Sequence, residues 1–250
     1  MTKVCLVVGA GDATGGAVAK RFAREGYTVC ATRRSLEKLQ PLIAEIQQAG
    51  GVIHGFGSDA RQEEAVVALV EHIESNIGPI DVLVFNVGAN SPNSILTETA
   101  RRYTKMWEMA CLAGFLIGRE VANRMVLRPN REDIPGASHK GTIIFTGATA
   151  SLRGGAHFAG FSGGKMALRA LAQSMARELG PMGVHVAHTI IDGVIDTEFT
   201  RTMFPERYAL KDRGGILNPD HIADAYWMLH QQPRDAWTQE LDLRPYMEKF

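Results

Sequence analysis

Six apolar, β-branched runs alternate with amphipathic segments through the first 190 residues, and this alternation limits the folds open to the chain. The runs are Val4 to Val8, Tyr27 to Thr32, Val52 to Phe56, Asp81 to Phe85, Thr142 to Thr146 and Val184 to Ile191. Continuous apolar runs of this length suit strands of a parallel sheet buried on both faces. Between them, stripes such as Val66, Leu69, Val70 and Ile73 recur at helical spacing. The alternation predicts a single doubly wound, Rossmann-type α/β domain over 1–250, with a mostly parallel sheet and helices on both faces. Gly-, Asp- or Asn-rich turns follow the first, third, fourth, fifth and sixth runs. Ligands of such sheets bind beyond the carboxyl ends of the strands, where these turns fall.

The remaining elements are simpler. One long helix is expected from about Glu98 to Leu127, and residues 128–140, polar with Pro129 and Pro135, read as a surface excursion. Helices near 197–208 and 219–231 and a last strand around Leu241 complete the chain.

Composition excludes several classes of function. Lys plus Arg and Asp plus Glu are both 27, so the formal charge is zero and no basic footprint for nucleic acid or anionic membranes is expected. No apolar run approaches the roughly 18 residues of a membrane helix. The N-terminal apolar run is broken by Gly9 and Gly11 and lacks the features of a signal peptide. Cys5, Cys30 and Cys111 are unclustered, the pattern of free thiols in a reducing compartment, so a cytoplasmic protein without a metal site is expected.

After the first strand the chain reads Gly9-Ala10-Gly11-Asp12-Ala13-Thr14-Gly15-Gly16. Small residues let a backbone approach a pyrophosphate, and the next helix offers its free N–H groups to it. An acid at the end of the second strand would bind the ribose 2′-hydroxyl of NAD, whereas a cation suits the 2′-phosphate of NADP. Thr32, Arg33 and Arg34 stand there, with no acid before Glu37, which favours NADP over NAD.

Together with Asp59 after the third strand, Asn86-Val87-Gly88 after the fourth and Lys165 four residues beyond Phe161, these motifs resemble the short-chain dehydrogenase/reductase family along essentially the whole chain. The resemblance implies a seven-stranded parallel sheet, a homodimer or homotetramer built on the long helices, and a small-molecule substrate. It implies that Gly9, Asp12, Thr14 and Gly15 face the pyrophosphate and Arg33 and Arg34 the adenosine phosphate. Asp59 and Ala60 would lie beside the adenine, and Asn86, Val87 and Gly88 beside its ribose. Lys165 would bind the nicotinamide ribose, with Gly193 and Thr197 close to the nicotinamide. Ala13 stands where the family usually has glycine, and Val8 where it usually has threonine.

The catalytic positions depart further. The family's Asn, Ser, Tyr and Lys correspond here to Cys111, Ala148, Phe161 and Lys165. Phe161 has no ionisable proton and Ala148 cannot hydrogen-bond an alkoxide, so ordinary carbonyl reduction loses a general acid, typically worth about 10² to 10⁴ in rate. Thr146, Thr149, His157 and His188 are the candidate substitutes; Thr149 also reads as a turn residue, His157 as a solvated loop histidine and His188 as a core histidine. Trp107, Phe115, Phe158 and Phe161 read as core, with some available to line an apolar pocket. The leading expectation is an NADP-dependent oxidoreductase with a non-standard proton source. The alternatives are an NADP-binding sensor or partner subunit without redox chemistry, and lyase-like or dehalogenase-like chemistry on the same fold.

Overall fold

The strands do pair as one sheet, and every pairing is parallel, in the order β3-β2-β1-β4-β5-β6-β7. They are β1 (Val4–Val8), β2 (Thr28–Arg33), β3 (Val52–Gly57), β4 (Ile80–Phe85), β5 (Gly141–Thr146), β6 (Val184–Ile191) and β7 (Glu240–Leu243). The computed structural model describes residues 2–88, 91–129 and 139–249. Most of the expected excursion over 128–140, and Ala89-Asn90 after β4, lie outside the described residues.

Two apolar layers hold the sheet. On one face, α3 (Glu63–Asn76), α5 (Ala113–Val126) and α6 (Ala159–Leu179) pack Val66, Val70, Ile73, Ile117, Val121 and Leu168 against Leu6, Leu83 and Phe145. On the other, α1 (Thr14–Arg24), α2 (Gln40–Gln48) and α9 (Pro219–His230) pack Val18, Phe22, Ile46, Ile222 and Tyr226 against Val7, Val29, Val84 and Ile144. Burying one such side chain contributes roughly 1.5–3 kcal/mol, and central strands β1 and β4 are buried at every position.

The expected helix from Glu98 to Leu127 is interrupted. α4 (Ala100–Trp107) and α5 are joined through a π turn over Glu108–Leu112. Such turns insert one residue without changing the apolar pattern enough to be read from it. Here the turn meets α6, where a Cβ on Gly164 would sit 2.8 Å from the Ala110 Cβ and one on Gly160 the same distance from the Met106 sulfur. The glycines of α6 therefore set how closely it approaches α4. Beyond β6, α7 (Glu198–Met203) and α8 (Pro205–Tyr208) lie over the carboxyl ends of the strands, with Phe199 and Phe204 facing a cleft.

The strand order reverses between β1 and its neighbours β2 and β4, and Asn86 N–H donates to the Val8 carbonyl across that point at 2.8 Å. This topological switch is where an open α/β sheet forms its binding crevice.

Candidate active site

A groove runs along the carboxyl edge of the sheet in two connected parts that share Asn86, Val87 and Gly88. The smaller part, about 230 Å³, lies between β1, β2, β3 and β4 and is lined by Gly9, Gly11, Arg33, Arg34, Asp59, Ala60 and Arg61. The larger, about 560 Å³, lies over β5 and β6 and includes Thr14, Ala148, Thr149, Phe158, Phe161, Lys165, Gly193 and Thr197. Most of the residues singled out by sequence are thus brought to one edge.

The β1–α1 turn is built for close backbone approach. Gly9 has φ +86°, and a Cβ there would meet the Asn86 carbonyl oxygen at 2.8 Å; a Cβ on Gly15 would meet the Gly9 oxygen at 2.3 Å. Gly11, by contrast, faces open space. At Ala13, which precedes α1, no side chain caps the helix, so its first N–H groups remain available to an anion. These features fit a pyrophosphate. Asp12 does not: its side chain is 86% exposed, and its carboxylate pairs with Arg33 at 3.1 Å, outside both parts of the groove.

The smaller part of the groove is cationic. Arg33 donates to Asp12 and to the Lys38 carbonyl, Arg34 is exposed, and neither has a carboxylate at the end of β2 beside it. Arg61, which the sequence reading passed over, also lines this part. It clasps Asp59 through two hydrogen bonds of 2.9 and 2.5 Å and holds its carboxyl below the usual range, with desolvation opposing and Arg34 adding a smaller pull. The signal was its position two residues after an acid. Asp59 and Arg61 therefore offset each other, and Arg33 is paired with Asp12, which leaves Arg34 as the exposed guanidinium of the pocket.

At the other end, Lys165 is 3% exposed and donates to the Thr146 carbonyl at 2.7 Å and the Val87 carbonyl at 3.1 Å. Burial pushes its pKa down to about 8. Two of the three ammonium donors are spent on the frame, and the side chain lines the cleft. Phe161, one turn earlier on α6, also lines it, with Ala148 at the end of the β5 loop.

The candidate proton donors fare differently. Thr149 lines the cleft, but its hydroxyl donates to the buried Asp192 carboxylate at 2.6 Å; Arg244 and Arg153 stand 3.3 and 3.7 Å from that carboxylate. Thr146 and the Tyr226 hydroxyl bond each other at 2.9 Å, and burial pushes Tyr226 far above the usual phenol range. His157 is exposed, has φ 71° and is not among the residues lining the cleft. His188 is buried beneath the β5 loop, with Nδ1 3.1 Å from Glu240 and Nε2 3.4 Å from Ser151 Oγ. It is thus a core histidine held by side chains, and burial pulls its pKa down to about 4. Cys111 lies in the π turn, buried, with its thiol pKa raised by desolvation, and it lines neither part of the groove. Trp107 and Phe115 are 40% and 38% exposed, so they belong neither to the core nor to the cleft. Ser162 does line the cleft; it is 4% exposed, and its hydroxyl has no hydrogen-bond partner among the described residues. Leaving such a group unpaired costs roughly 1–3 kcal/mol.

Sequence and structure comparisons agree with this architecture. Residues 3–207 match the family described as short chain dehydrogenase. The chain belongs to the short-chain dehydrogenase/reductase family. A crystal structure of a short-chain dehydrogenase from Rhodopseudomonas palustris is 46% identical, with TM-score 0.79, covering 98% of this chain and 99% of that one. Human dehydrogenase/reductase SDR family member 11 is 26% identical over 254 residues, 97% of this chain and 94% of that protein. A metagenomic short-chain oxidoreductase in complex with NADP is 25% identical, with TM-score 0.80 and 98% of each chain covered. In the groove of this member of the family, Ala148 and Phe161 present no polar side-chain group.

Proposed function

We propose that the protein is an NADP-dependent oxidoreductase acting on a small apolar substrate at an active site without the family's usual serine and tyrosine. The observation that carries this reading is the single groove running from Arg33, Arg34 and Arg61 past Asn86 to Gly88 and on to Lys165, with no carboxylate at the end of β2. NADPH bound there would supply hydride. The chain's own residues would do the rest. The turn at Gly9, Gly11, Thr14 and Gly15 and the uncapped start of α1 would take the pyrophosphate. Arg33 and Arg34 would hold the 2′-phosphate through charge-assisted bonds, with Asp59 and Ala60 beside the adenine and Asn86 to Gly88 beside its ribose. Lys165, with one donor left, would hold the nicotinamide ribose, and Gly193 and Thr197 would border the nicotinamide. Phe158, Phe161, Phe199 and Phe204 would exclude water from the substrate.

Titration of nicotinamide fluorescence with NADPH and NADH, followed by a panel of ketones, imines and enones, tests this. Tight NADPH binding with turnover of at least one class is expected. Failure to bind NADPH would overturn the reading. Because Thr149 commits its proton to Asp192 while positions 148 and 161 are apolar, a second reading is supported: an NADP-binding sensor or partner subunit. NADPH binding without turnover, accompanied by an NADPH-dependent change in assembly, would favour it. The exposed Tyr103, Trp107 and Phe115 on α4 and α5 support a homodimer or homotetramer, to be tested by analytical ultracentrifugation, and the three free cysteines support a cytoplasmic location, to be tested by fractionation of the source cells.

A further inference from the structure

The hydroxyls around Lys165 are not equivalent. Thr149 gives its proton to Asp192. Thr200 gives its own to the Ile195 carbonyl at 2.7 Å, so the 2.9 Å contact between Thr197 and Thr200 is donated by Thr197. Thr146 is bonded to Tyr226. Arg153 reaches the cleft, but a guanidinium does not release a proton in proteins. Ser162 stands apart: it is 4% exposed, it lines the cleft, and its proton has no acceptor among the described residues. It also precedes Lys165 by three residues on α6, a spacing that places both side chains on one helix face. Gly163 and Gly164 lie between them, and a Cβ on either would come within 2.9 Å of α4 or the π turn. These glycines seat α6 against Tyr103 and Ala110 and add no side chain between Ser162 and Lys165.

We propose that Ser162 is the residue that hydrogen-bonds and protonates the substrate oxygen in this cleft, with Lys165 one turn on as the source of its next proton. The inference rests on the reading of the protein as an NADP-dependent reductase and adds a carbonyl as the substrate class. As the carbonyl carbon accepts hydride from NADPH, the π pair of the C=O bond moves onto oxygen. That oxygen forms its O–H bond with the Ser162 proton. Once NADP⁺ has left, the Lys165 donor freed from the ribose gives its proton to Ser162 Oγ, and water restores the ammonium. Hydride plus one proton account for the alcohol formed. The Ser162 hydroxyl is buried in its present rotamer, and the role proposed for it requires a rotation about χ1 toward the cleft. Phe158, Phe161, Phe199 and Phe204 make an aromatic ketone the natural probe.

The test uses the full chain, Ser162→Ala and Ser162→Thr, with acetophenone as substrate and NADPH affinity measured separately by fluorescence. Ser162→Ala is expected to lower kcat about 100-fold, the scale of a lost general acid, with KM and NADPH affinity nearly unchanged, and Ser162→Thr to restore most of the rate. In the wild type kcat should fall as pH rises through about 8, where Lys165 loses its proton. A readout independent of turnover is the infrared carbonyl band of ¹³C-acetophenone bound with NADP⁺. It should lie below its position in hexane for the wild type and return toward it in Ser162→Ala. An unchanged rate in Ser162→Ala, an unshifted wild-type band, or NADPH binding with no ketone bound or reduced would each overturn the role of Ser162. Absence of NADPH binding would instead overturn the reductase reading on which it rests.

Discussion

The two ends of the groove are made from the same sheet edge, yet they hold different chemistry. At the end near β2, Arg33, Arg34 and Arg61 gather around a pocket whose one carboxylate, Asp59, is already clasped by Arg61. At the far end, Lys165 is buried beneath aromatic and aliphatic side chains, and the hydroxyl of Thr149 is turned to Asp192. The first end is suited to holding a phosphate by fixed positive charge. The second has a depressed lysine and few protons to give. The glycine turn and the strand ends of the first part are formed without the side chains at positions 148 and 161, so the proposed account treats binding and acid–base chemistry as separable.

The largest effect is expected at the residue that joins the two ends. Lys165→Met removes a buried ammonium that donates to both the β4 and β5 loops, and turnover should fall by about 10² or more while the sheet persists in circular dichroism. Turnover within a few-fold of wild type would remove Lys165 from the chemistry. At the end near β2, Arg33→Ser with Arg34→Ser should weaken NADPH by about 10- to 100-fold, the range of a lost charge-assisted bond or two, with NADH affinity unchanged. Equal losses for both nucleotides would break the assignment of this end to the 2′-phosphate.

The smallest effect concerns stability. His185 and His188 are buried, and desolvation lowers both to about 4, against a value near 6.5 for an unfolded histidine. Below pH 6.5 the unfolded chain therefore binds protons that the folded chain refuses, and stability falls as pH drops from about 6.5 toward 4. Each group contributes at most roughly 3 kcal/mol across that window, and urea denaturation at pH 7 and pH 5 should show part of it. His188→Gln should flatten the dependence, and an unchanged slope would show that His188 titrates normally.

Most of the fold was legible because it rests on local patterns. The apolar strands, the glycine turn after Val8 and the stripe in α3 all carry their periodicity in the chain. The π turn at Glu108–Leu112 was not, since a one-residue insertion leaves the helical pattern nearly intact. In the groove, Arg33, Arg34 and Lys165 were readable from their offsets to strand ends and from Phe161. The pairing of Thr149 with Asp192 spans 43 residues and follows from β5 and β6 lying side by side, which no local pattern encodes. Arg61 and Ser162 were within reach: one follows Asp59 by two residues, the other precedes Lys165 by three.

The most direct measurement combines Ala148→Ser with Phe161→Tyr and compares NADPH-dependent ketone reduction in the double variant and the wild type. If the cofactor end is intact and the far end depends on Ser162 alone for its proton, the added hydroxyls should raise reduction by up to about 10² at nearly unchanged NADPH affinity. NADPH bound as before with no gain in reduction would contradict the separation of the two ends.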